Sequence, residues 1–117
     1  MTQETIPVRP VEFYILLALC RGETHGYGII SETERQSEGQ VSLDPGTLYR
    51  AIARMREEGL VEEASRREAD DLDRRRRRYY AITPKGREVA ELEAHRLAGL
   101  IRTAREVSLL DDTGSAR

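Results

Sequence analysis

Residues 41–63, VSLDPGTLYRAIARMREEGLVEE, leave this chain few choices of fold. Asp44 can accept hydrogen bonds from first-turn amides that have no partner inside a helix, and Pro45 fits the first helical position, where no N–H is needed. Leu48, Ala51, Ile52 and Met55 recur at helical spacing and make one apolar face. Thr47, Tyr49, Arg50, Ala53, Arg54 and Glu57 fall off that face. Gly59 stands where a left-handed C-terminal cap belongs, and Leu60 and Val61 open an extended run. A capped helix with a buried stripe, an arginine-bearing outer face and an exposed N-terminus is suited to a DNA major groove.

Upstream, residues 1–9 carry Pro7 and little pattern, and read as a flexible arm. Pro10 can open a helix through VEFYILLALC, whose nearly continuous apolar residues predict burial on most sides. The whole chain has 117 residues, 38% of them hydrophobic and 34% charged, which bounds it to one domain with a modest core. Pairing with a second copy would complete that core, so Phe13, Leu16 and Leu17 are expected in the core or at a subunit interface. Cys20, the only cysteine, permits neither an intrachain disulfide nor a thiolate zinc cluster, and is expected to be buried as an apolar side chain. Thr24 is placed as the N-cap of a second helix, THGYGIISETERQSEG, with Tyr27, Ile29 and Ile30 facing inward. Gly26 and Gly28 weaken its first turn and suit close approach to a neighbour. His25 is expected to hold the helix start by a hydrogen bond; no second ligand lies at a metal-binding spacing. Helix, short turn and capped helix together are helix-turn-helix grammar.

Downstream, residues 60–64 and 78–82 read as two strands of a hairpin. The long charged link between them carries Glu68, Asp70, Asp71 and Asp73, then Arg74, Arg75, Arg76, Arg77 and Arg78. A hairpin after a recognition helix is a wing. Its arginines can straddle the DNA backbone or enter a minor groove, and the aspartates could shield them. The bland alternative is a solvated charge run neutralised by its acidic neighbours. Thr83-Pro84 repeats the cap of Asp44-Pro45 and starts the longest helix, expected over residues 84–110, with a polar tail at 111–117. Ala90, Leu97 and Ala104 fall seven apart, with Leu100 and Val107 offset by three: a short coiled-coil seam interrupted by Glu93. The expected architecture is mainly α with a small β-hairpin. A winged helix-turn-helix spans residues 10–83, followed by a long C-terminal dimerisation helix.

The net charge of −2 excludes an all-over basic coat but not a basic contact patch. No nucleophile–base pair stands at a familiar spacing, and no Gly-Lys-Ser/Thr follows the glycines of residues 22–28, so neither an enzyme nor a phosphate-cradling loop is supported. No cofactor is implied. No signal peptide is read at the N-terminus, and the apolar run of residues 13–20 is too short to cross a bilayer, so a cytoplasmic protein is expected.

Thr24-His25-Gly26-Tyr27-Gly28-Ile29, Asp44-Pro45-Gly46-Thr47-Leu48-Tyr49, Glu58-Gly59-Leu60-Val61 and Arg78-Tyr79-Tyr80-Ala81-Ile82-Thr83-Pro84-Lys85-Gly86 together resemble the PadR family of bacterial transcriptional regulators. The likeness covers residues 10–110 and is closest to the short subfamily with one C-terminal helix. It implies a homodimer that binds two-fold symmetric operator DNA and represses transcription. It further implies release by a small hydrophobic or phenolic effector, although no motif marks a ligand site and tryptophan is absent. The DNA-contacting set it selects is Thr47, Tyr49, Arg50, Arg54 and Arg74 to Arg78. Tyr49 could instead pack under the wing, and Arg54 could pair with Glu58. The dimer set is Phe13, Leu16, Leu17, Leu97, Leu100, Ile101, Ala104 and Val107. A winged-helix adaptor that binds protein rather than DNA is the competing reading.

Overall fold

The computed structural model describes residues 8–64 and 78–111. Four helices, α1 (Pro10–Cys20), α2 (Gly26–Gln36), α3 (Pro45–Glu57) and α4 (Pro84–Glu106), are joined with three short strands, β1 (Thr24–His25), β2 (Val61–Glu63) and β3 (Tyr79–Ile82). The strands form one antiparallel sheet in the order β1-β3-β2, with Thr24 opposite Tyr80 and Val61 opposite Ile82. This is the winged helix-turn-helix expected from the sequence, with one strand more than a hairpin.

Helix starts follow the predicted chemistry. The Asp44 carboxylate accepts the Thr47 amide at 3.2 Å, and the Thr83 hydroxyl accepts the Gly86 amide at 2.9 Å. At α1, Glu12 folds back so that its Oε1 accepts the Arg9 amide at 3.2 Å. Three helices stop in the same way. A residue with positive φ follows the cap (Glu38, Gly59 or Ser108), and the next amide bonds back to the last turn: Gly39 to Glu34, Leu60 to Met55 and Leu109 to Ala104.

The core lies where α1, α2 and α3 meet the sheet. Ile15, Leu16, Leu19, Ile29, Leu48, Ile52, Met55 and Leu60 are essentially inaccessible to solvent. The end of α3, the start of the wing and the start of α4 are knotted at one corner. The Thr83 hydroxyl donates to the Gly59 carbonyl at 2.6 Å, the Thr83 amide to Leu60 at 3.0 Å, and Lys85 Nζ to the Glu58 carbonyl at 2.9 Å. On the opposite side, Arg21 and Gln36 reach the Glu32 carboxylate at 2.7 and 3.0 Å, and Arg35 also pairs with it. Hydrogen bonding from Arg35 is the largest cause of a Glu32 pKa lowered to about 2.

Five expectations are corrected. Thr24 does not cap α2; it pairs in β1, and His25 takes the cap, its Nδ1 accepting the Gly28 amide at 3.1 Å. Tyr27 points outward, 71% exposed, because it lies on the face of α2 opposite Ile29 and Thr33. Cys20 is exposed at the last residue of α1 rather than buried. Leu16 is wholly inside this chain's own core, leaving no surface for a subunit interface. The long helix ends at Glu106 rather than at 110, because Ser108 turns left-handed and Leu109 bonds back to Ala104; Val107 becomes its C-cap.

Candidate nucleic-acid interface

The outward side of α3 presents Gly46, Tyr49, Arg50, Ala53 and Glu57, all exposed and all on one helical face opposite Leu48, Ile52 and Met55. Gly46 and Ala53 keep that face low, so that a large ligand can approach the helix closely. Arg50 stands exposed above them, its Nη2 at 3.5 Å from the Thr47 hydroxyl. The Thr47 hydroxyl and amide, with a smaller contribution from the Arg50 charge, hold the Asp44 carboxyl below the usual aspartate range. The cap therefore stays ionised and keeps the first turn formed while leaving Arg50 reachable.

Tyr49 both packs and faces solvent. It is 48% exposed, yet a Cβ added at Gly26 would lie 2.2 Å from its hydroxyl oxygen. The absence of a side chain at Gly26 thus creates the seat for Tyr49 at the start of α2, which sets α3 against α2. Exposed Tyr27 follows Gly26 in that first turn and adds an aromatic hydroxyl to the outer surface of α2. The His25 ring meets Tyr79 edge-on, with centroids 5.3 Å apart, and ties this turn to the sheet.

Arg54 is placed differently from Arg50. Its Nε lies 3.4 Å from Glu12 Oε2 and 3.4 Å from Glu58 Oε2, at the edge of a groove of about 500 Å³ between the start of α1 and α3. Glu12, only 2% exposed, was not singled out by any sequence rule: an acidic residue in the first turn of a helix reads as an ordinary N-terminal preference. Toward the wing, Glu63 stands between Arg56 at 3.8 Å and Arg78 at 3.6 Å. Arg74, Arg75, Arg76 and Arg77, with Glu68, Asp70, Asp71 and Asp73, lie outside the described residues.

A second, apolar surface runs along α4 and beyond it. Leu100, Ile101 and Val107 are exposed, Leu100 by 54%, while Leu97 and Ala104 are half-buried. Phe13 and Leu17 on α1 are also half-buried. Glu93, the residue that interrupts the seam, is paired with Arg96 at 2.6 Å, and this bonding lowers its pKa. Among the described residues, no cluster of His, Cys, Asp and Glu could hold a metal, and no helix is long and apolar enough to cross a membrane.

Residues 15–92 match the model of the Transcriptional regulator PadR-like family. A curated relative, an uncharacterized 37.1 kDa protein in transposon TN4556 of Streptomyces fradiae, is 35% identical over 101 residues. The match takes in 86% of this chain but only 27% of that protein's length. Among solved structures, a PadR family transcription regulator from Clostridium difficile R20291 superposes with a TM-score of 0.69 at 22% identity, covering 83% of this chain and 96% of that one. The structure of Bacillus subtilis PadR in complex with operator DNA gives a TM-score of 0.59 at 22% identity, covering 71% of this chain and 45% of that one. At such identities the structural likenesses speak for the fold.

Proposed function

Since this chain belongs to the PadR-like family of transcriptional regulators, a family without enzymatic activity, we propose that it regulates by binding double-stranded operator DNA with α3 in the major groove. The observation that carries this reading is the low, exposed face of α3, where Arg50 makes no salt bridge among the described residues, feeling Asp44 only as a minor charge interaction, while Leu48, Ile52 and Met55 pack on the opposite face. The capped N-terminus adds its own attraction for phosphate. Thr47 and Tyr49 are assigned to the DNA backbone, Arg50 to a base edge or phosphate, and Arg74 to Arg78 to the wing's contact. The complex of Bacillus subtilis PadR with operator DNA supports the DNA-binding part of this reading.

The working unit is a homodimer. The apolar side of α4, with Leu97, Leu100, Ile101, Ala104 and Val107, closes on a second copy together with Phe13 and Leu17. In this division residues 10–83 form the DNA-binding unit and α4 the dimerisation element. Two recognition helices related by a two-fold axis call for a two-fold operator. Such a dimer seated at a promoter represses by occupying it, and a small hydrophobic or phenolic effector bound between subunits would release it.

The test is a gel-shift on DNA upstream of the chain's own gene, followed by selection from a random-sequence pool, each at two salt concentrations. Binding should weaken steeply with salt, by about 0.9 in log–log slope for each phosphate neutralised. Arg50→Ala should cost about 1–3 kcal/mol if it reads a base. Salt-insensitive association, or failure in both arms, would instead favour a winged-helix protein adaptor.

A further inference from the structure

We propose that Glu12 sets how many positive charges this chain offers to DNA, by drawing the Arg54 guanidinium onto the protein. The proposal rests on the DNA-binding reading above. Glu12 is 2% exposed, and a carboxylate removed that far from water requires a charged partner. Arg54 supplies it at 3.4 Å and is itself only 30% exposed at the side chain. The other oxygen of Glu12 accepts the Arg9 amide at 3.2 Å, so the carboxylate cannot swing away without uncapping α1. Glu58 closes on the same Arg54 Nε from within α3 at 3.4 Å.

Arg50 and Arg54 are one turn apart on α3, and by position alone both belong on the DNA side. Their surroundings separate them. Arg50 is exposed, reaches the Thr47 hydroxyl and feels Asp44 only as a minor charge interaction, whereas Arg54 forms salt bridges to two carboxylates. Turning Arg54 out to a phosphate would strand the buried charge of Glu12, which costs more than one solvated phosphate contact gives back. Arg54 is therefore a positioning residue that locks the start of α1 to the last turn of α3. Glu12 is the group that keeps it off the phosphates.

The experiment uses the full chain and the duplex that binds best in the gel-shift and selection assays. Equilibrium affinity is measured across a salt series, where each phosphate contact contributes about 0.9 to the slope of log K against log salt. Arg54→Gln should leave the wild-type slope unchanged, while Arg50→Ala should reduce it by about 0.9 if that residue neutralises a phosphate. Glu12→Gln combined with Glu58→Gln should steepen the slope by about 0.9, and adding Arg54→Gln to that pair should restore it. A slope that falls with Arg54→Gln alone overturns the proposal, as does an unchanged slope in a folded Glu12→Gln/Glu58→Gln protein. Should the double variant not fold, the Arg54→Gln arm decides by itself. A wild-type protein with no salt-dependent binding at all sinks the DNA reading and this inference with it; a steep wild-type slope that Arg54→Gln reduces sinks this inference only.

Discussion

Replacing Gly86 by alanine should unfold this protein more easily, although alanine is the better helix former. Gly86 is buried in the first turn of α4. A Cβ there would lie 2.1 Å from the Leu60 carbonyl oxygen, 3.0 Å from its carbon and 2.9 Å from Ile82 Cγ1. The obstacle is chiefly backbone, so no rotamer change relieves it. The Leu60 carbonyl also accepts the Thr83 amide at 3.0 Å, and the neighbouring Gly59 carbonyl accepts the Thr83 hydroxyl at 2.6 Å. Forcing α4 away from residue 60 loosens both bonds. Helix propensity favours alanine by about 1 kcal/mol. Against it stand overpacking at about 1–3 kcal/mol and two hydrogen bonds at about 0.5–1.5 kcal/mol each, for a net loss of about 3 kcal/mol. Gly99, in the same helix, is the control. Its added Cβ would meet nothing closer than Arg102 Nη2 at 3.6 Å, so Gly99→Ala should stabilise by up to about 1 kcal/mol. Urea unfolding of both variants at one fixed protein concentration reads the two signs, since self-association would move the midpoint with concentration. A Gly86→Ala protein as stable as wild type would refute the reasoning.

Three further outcomes are expected. Gly26→Ala should displace the Tyr49 ring, whose hydroxyl is the flexible end of a side chain, and so weaken DNA binding more than it lowers the urea midpoint; equal binding by gel-shift would remove Tyr49 from the contact set. The lowered Glu32 pKa contributes stability that is fully present above about 4.5 and is lost as pH falls toward about 2. Arg35→Gln should flatten thermal stability against pH within that window, and an unaltered profile would reject the assignment. Leu100→Lys with Ile101→Lys, both at exposed positions, should convert a dimer to a monomer in sedimentation velocity without loss of helical circular dichroism; an unshifted coefficient would place the interface elsewhere.

What could be read in advance was whatever local chemistry announces. Asp44-Pro45, Thr83-Pro84 and Gly59 are side-chain or backbone solutions to a helix end, and each acts as it reads. What could not be read was decided by neighbours distant in sequence. A two-residue strand such as Thr24–His25 shows no alternation of its own; only pairing with β3 makes it a strand and takes Thr24 away from the α2 cap, while the hydrogen bond by which His25 holds the helix start was legible. The stop of α4 falls on Ser108, a residue type that rarely takes positive φ, so no glycine marks it. The apolar run of residues 13–20 concealed which side chains turn into the chain's own core, as Leu16 does, and which stay half-buried, as Phe13 and Leu17 do. Glu12 needed Arg54, far along the chain, before its carboxylate had meaning.

The corner at residues 58–60 and 83–86 gives these pieces a common consequence. The C-terminal carbonyls of α3 are held by Thr83 and Lys85, which belong to the start of α4, and Gly86 lets α4 press against the backbone that leads into the wing. On another side of the same turn, Glu12 ties Arg54, in the last turn of α3, to α1. Helix α3 is thus clamped through its C-terminal end to both helices that carry the exposed and half-buried apolar residues. Rotating α4 against α1 must strain one clamp or the other, because packed interfaces do not deform continuously. On the proposed dimer, the angle at which two subunits meet therefore sets the separation of their two α3 helices. On the same proposal, a ligand wedged between α1 and α4 would shift the α3 helices through these clamps without touching Arg50 or Tyr49.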